Sequence, residues 1–116
     1  MYCYPKIMSN PENILLVLTN VPDTTTASQL AETLVTQKLA ACVNILSPSL
    51  SVYMWEGKLE HTNEIPMLIK TTQLQYDALQ AAIIKVHPYE LPEIISINVD
   101  GGLPQYLQWV TTQLSA

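Results

Sequence analysis

Within seven positions the chain places His87, Tyr89, Glu90 and Glu93, in the stretch HPYELPE. An imidazole nitrogen and carboxylate oxygens can hold a divalent ion such as Zn²⁺ or Cu²⁺. The same groups can also act as a base and its orienting partner. Spacings of three and six residues after a histidine mark no particular metal centre. A plainer arrangement fits equally: His87 caps a helix, while Glu90 and Glu93 face water.

Four other residues stand out against their surroundings. Tyr53 and Trp55 flank a turn in YMWEG, where large aromatic rings suit either a core or a subunit contact. Lys70 interrupts the apolar alternation of EIPMLIKT. It either extends its ammonium to water along an apolar stem or meets Glu64 or Glu93 across an interface. His61, in LEHTNE, reads as part of a solvated polar loop.

The elements that must position these residues follow from hydrophobic periodicity. ILLVLT (14–19) is a buried strand. Thr26 and Gln29 form a candidate capping box for a helix carrying Ala27, Leu30, Ala31, Leu34 and Val35 on one face, as far as Leu39. Residues 41–55 read as one long strand, bulged or at an edge near Pro48. Gly57 suits a hairpin turn, and 64–71 returns as the partner strand. Thr72 and Gln75 are candidate caps for a second helix, with Tyr76, Leu79, Ile83 and Val86 as its stripe. Pro88 and Pro92 stop it. EIISINV (93–99) is the last strand, and Pro104 opens a helix with Leu107, Val110 and Leu114 on one face. The order βαββαβ followed by a helix predicts an α+β, ferredoxin-like domain. Residues 14–116 would form that single domain, after a flexible tail at 1–13.

Composition narrows the partners. Hydrophobic residues make up 48% of the 116 positions and charged residues 13%. A chain this short leaves much of its surface exposed, so such a composition favours self-association. A strand as long as 41–55 would outrun its short neighbours and expose an edge, which also favours pairing between subunits. The formal net charge is −5, with five lysines and no arginine. Phosphate and base recognition lean on arginine, so nucleic-acid binding is not expected. Cys3 and Cys42 belong to no CxxC or CxxH pair. A soluble, cytoplasmic protein is expected, since no segment has the length of a membrane span. GxSxG, P-loop, GxGxxG and HExxH motifs are absent, so no enzyme is predicted and no cofactor is required.

The motifs LTNVPD, KLAACVNI, SVYMWEGKLE, EIPMLIKTT, HPYELPEII and YLQW, taken together and in this order, resemble the CutA divalent-cation tolerance family. The resemblance covers nearly the whole chain from Ile14. It implies a ferredoxin-like subunit related in fold to PII signalling proteins, assembled as a homotrimer. It also implies an intersubunit cleft lined by Tyr53, Trp55, Glu64, Lys70, His87, Tyr89 and Glu93. A divalent metal, Cu or Zn, would be held there by His87, Glu90, Glu93 and Glu64. Some members carry a cysteine where this chain has Thr19 and a second histidine where it has Val86, so two soft or borderline ligands are missing here. The expected function is a trimeric metal-tolerance or metal-response protein. The alternative is a PII-like trimer that senses a small organic ligand or binds a partner protein.

Overall fold

The computed structural model describes residues 13–115. The expected tail, 1–13, and Cys3 within it fall outside the described residues, except for Asn13. β1 (Ile14–Val21) buries its odd-numbered side chains almost completely. α1 (Thr24–Thr36) starts earlier than the expected cap at Thr26. Asp23 caps it instead, its Oδ1 accepting the Thr26 N–H at 2.8 Å. That N–H holds the Asp23 carboxyl below its ordinary pKa. Ala27, Leu30 and Leu34 are the buried stripe, spaced to face one sheet.

Four further strands complete the sheet: β2 (Cys42–Ile45), β3 (Ser49–Trp55), β4 (Lys58–Thr72) and β5 (Ile94–Asn98). The order is β2-β4-β1-β5, with β3 also paired to β4, and every pairing is antiparallel. Each parallel pair of a split βαβ unit thus has one antiparallel strand between its members, which is the ferredoxin-like arrangement. α2 (Tyr76–Val86) follows β4 through a 3₁₀ turn, Gln73–Gln75, and no side chain caps it. α1 and α2 close over one face of the sheet. There Leu15, Val17, Val21, Leu34, Met67, Ile69, Leu79 and Ile83 form the main core. α3 (Pro104–Leu114), opened by Pro104, packs Val110 and Leu114 on Ile14 and Ala41 at one end of the opposite face. Among the described residues no helix is long and apolar enough to cross a membrane.

Two expectations about the strands need correction. The long continuous strand is β4, with 15 residues, and not 41–55. β4 pairs with β2 at one end and β3 at the other, so the expected overhang is satisfied within the chain. LEHTNE is therefore strand, and His61 sits opposite Val52 in the ladder, not in a loop. It reads as a loop because both faces of this hairpin arm are largely exposed in a single chain.

The interruption near Pro48 is a bulge. Ile45 faces Met67 and Ser49 faces Glu64. Three residues on one strand therefore span the gap that two span on the other, the count that defines a bulge. Pro66 lies in that gap and has no N–H to give, while its carbonyl accepts the Leu46 N–H at 2.9 Å. The extra residue shifts the side-chain alternation by one position. Before it, Cys42 and Asn44 share a face with Lys70 and Leu68. After it, Tyr53 and Trp55 take that face, opposite Glu60 and Lys58. Beyond them, Glu56 and Gly57 close the hairpin with φ of 50° and 81°, the left-handed pair that a two-residue turn requires.

Candidate functional site

A groove of about 790 Å³ runs between the β3–β4 arm and the segment that follows α2. Each wall has a local cause. Pro88 ends α2, and His87 leaves the helix with extended backbone, its N–H still bonded to the Ile83 carbonyl at 3.0 Å. The His87 ring then ties the elbow down. Its Nε2 lies 2.6 Å from the Asn20 carbonyl, and its Nδ1 accepts the Tyr89 N–H at 3.2 Å. A carbonyl can only accept and an amide N–H can only donate, which assigns the proton to Nε2. The Tyr89 ring lies against that of His87, with centroids 4.7 Å apart. Asn20, near the end of β1, serves both sides of the elbow: its Nδ2 donates to Glu93 Oε1 at 2.9 Å.

The opposite wall is the arm. Tyr53 Oη and Thr62 Oγ1 are 2.9 Å apart across the β3–β4 ladder. Trp55 and Glu60 continue the lining outward. At the inner end Glu64 is only 7% exposed, with Tyr89 on the same lining. Burial in the first place, and then Glu64, push the Tyr89 phenol up to about 12.

Of the eight residues singled out in the sequence, Tyr53, Trp55, Glu64, Tyr89, Glu90 and Glu93 line one groove. His87 stands behind it as the clasp. Lys70 lies elsewhere on β4, bonded to Asn44 Oδ1, with Cys42 Sγ at 3.8 Å. It meets neither Glu64 nor Glu93 within the chain, because β2 is the strand that pairs with β4 at that level. Sequence reasoning did not single out Asn20 or Thr62. The one available signal for Asn20 was a carboxamide closing an otherwise apolar strand, ahead of the VPD turn.

The donor set can be compared with what a metal ion needs. Both His87 nitrogens are engaged inside the fold, so the ring has no lone pair left for the groove. Among the described residues no group of three or more His, Cys, Asp or Glu could hold a metal ion. Thr19 is buried on the helix-covered face opposite Met67 and Ile94, its hydroxyl without a partner. A ligand at that position would point into the core. A tight copper site built by one chain does not fit these residues. What remains is a set of carboxylate oxygens: Glu60, Glu64, Glu90 and Glu93.

The fold and the site can be set beside known proteins. The model of the CutA1 divalent ion tolerance protein family matches residues 15–113. The Protein CutA homolog of Xenopus laevis is 45% identical over 89 residues, covering 77% of this chain and 59% of that protein. The divalent-cation tolerance protein CutA of Pectobacterium atrosepticum is 40% identical over 100 residues, 86% of this chain and 91% of its own length. The chain thus spans little more than half of the frog relative but nearly all of the bacterial one. The crystal structure of CutA from Xylella fastidiosa superimposes with a TM-score of 0.86 at 40% identity, over 89% of this chain and 99% of that one. With a ferredoxin-like sheet, the elbow and the arm in their expected order, and a family match over nearly its whole length, the chain belongs to the CutA1 divalent ion tolerance family.

Proposed function

We infer that this protein is a homotrimeric divalent-cation tolerance protein whose groove takes cations through carboxylate oxygens. The observation that carries the reading is the gathering of Glu60, Glu64, Glu90 and Glu93 on one groove that no lysine lines. One chain supplies too few close donors, so a neighbouring copy would complete the ligand set. The names of the relatives support the divalent-cation part, and the −5 charge draws cations of any kind. His87 then serves as the support of the elbow rather than as a ligand. A preference for Cu²⁺ would rest on the general affinity order of divalent ions, without help from imidazole or thiolate. A cytoplasmic location belongs to the same proposal, and no catalytic step is part of it.

Calorimetric titration with Cu²⁺ and Zn²⁺ tests this reading. Wild type should bind, and the double variant Glu90→Gln, Glu93→Gln should bind at least tenfold more weakly with its fold unchanged by circular dichroism. Equal affinity in both proteins, or no binding by wild type at millimolar metal, would remove the groove as a metal site.

A further inference from the structure

The groove has three features that a bare metal ion does not use. Its volume of about 790 Å³ lies within the range of small-molecule sites, which is roughly 300–1,000 Å³. Three aromatic rings, Tyr53, Trp55 and Tyr89, share the lining with the carboxylates. At its inner end is Glu64, more than nine-tenths buried, on the same groove as Tyr89. No basic side chain lines the groove among the described residues. Lys70, three ladder positions further along the same face of β4, is turned to Asn44. Acidic side chains are almost never buried to this degree without a paired cation. A carboxylate offers about four acceptor positions.

We propose that the groove binds an organic cation, an aliphatic amine whose terminal ammonium pairs with Glu64 while its methylene chain lies along Tyr53, Trp55 and Tyr89. The chemistry matches at each point. A primary ammonium is a compact charge with three donors, suited to the acceptor sites of Glu64. Aromatic faces attract cations through their quadrupoles and offer apolar surface to the chain. Glu60, Glu90 and Glu93 line the same groove, so a second ammonium further along a diamine or polyamine also finds a counter-charge. The clasp built by His87 and Asn20 holds the elbow in place before the ligand arrives, which lowers the ordering cost of binding. The inference rests on reading this groove as the binding site of the protein, and it adds the ligand class.

The probes are putrescine and spermidine, titrated by calorimetry into the full chain without added metal. Hexanol and succinate serve as neutral and anionic controls, and a lysine-containing tripeptide separates a free amine from a lysine side chain of a partner. Binding of either amine without the controls, weakened at least tenfold by Glu64→Gln and by Trp55→Leu, supports the proposal. Glu64→Gln keeps the size of the side chain and removes the charge. Trp55→Leu lies at the outer end of the arm and provides a second arm should the Glu64 variant fold poorly. Tighter binding of the tripeptide than of the free amines would assign the same subsite to a partner's lysine and overturn the small-amine assignment. No amine binding at millimolar concentration, or unchanged affinity in both variants, overturns the proposal outright. Cu²⁺ binding in that case would leave the metal reading intact, whereas amine binding without metal binding would leave only this one.

Discussion

Asn20 and His87 show how far single residues can be read from the chain. The residue types in HPYELPE announced a site, and three of the side chains expected there, Tyr89, Glu90 and Glu93, do line one groove. The role of His87 was not legible, because its partner, the Asn20 carbonyl, lies 67 positions earlier. No local pattern records a contact of that separation. Tyr89 gives the sharpest prediction at this scale. Its phenol is raised from 10.0 to about 12, by burial first and then by Glu64. A raised value means that the folded state holds the proton more tightly than the unfolded chain does. The resulting stability is fully present below pH 10 and is lost as the pH rises towards 12. The denaturant midpoint of wild type should therefore fall more steeply between pH 10 and 12 than that of Tyr89→Phe. Tyr106, also raised, is common to both proteins and cancels in the comparison. Parallel curves for the two would show that Tyr89 carries no such linkage.

Among the elements, the helices and the strand order were readable from periodicity, and α3 opens at Pro104 as expected. The length of β4 was not, since a strand exposed on both faces loses the apolar alternation by which strands are recognised. The bulge was signalled by Pro48, but its consequence needed the register. One extra residue places Tyr53 and Trp55, instead of Val52 and Met54, on the face shared with Glu60 and Glu64. Deleting Ser47 should restore an uninterrupted ladder and reverse the arm's two faces. Trp55 fluorescence, followed in a Trp109→Phe background, should then become more accessible to acrylamide, and cation binding should drop at least tenfold. Unchanged binding would mean that the ring order along the arm is irrelevant to the groove.

In the whole molecule, the sheet face opposite α1 and α2 is only partly covered by α3. Ile95 and Ile97 remain 49% and 47% exposed, in line with Leu18 and Leu16 of β1. Tyr106 and Trp109, stacked on each other, are exposed as well. An apolar surface of that kind marks an interaction site in soluble proteins, in keeping with the proposed trimer. The sequence hinted at assembly through composition, but it located the cause at the overhang of 41–55, which β4 in fact covers. The sheet face takes its place in the argument. Light scattering should return three times the chain mass for wild type, and Ile97→Lys should shift the population to monomer at micromolar concentration. A variant that stays trimeric would show that this face lies outside the interface.

The strand order β2-β4-β1-β5 also governs how fast the protein can fold. β1 is the first strand made, yet both of its partners come late in the chain: Leu15 pairs with Thr71 and with Asn98. The centre of the sheet therefore cannot form from neighbours in sequence. Long loops, reaching about half of the chain for β4 and about two-thirds for β5, must close first, at an entropic cost incurred before any ladder bond is gained. Domains of such high contact order refold on a scale of roughly milliseconds to seconds, slower than helical bundles of equal size. During that interval the edge of β1 is open to a β4 from another molecule as well as to its own. Refolding yield should consequently fall as protein concentration rises.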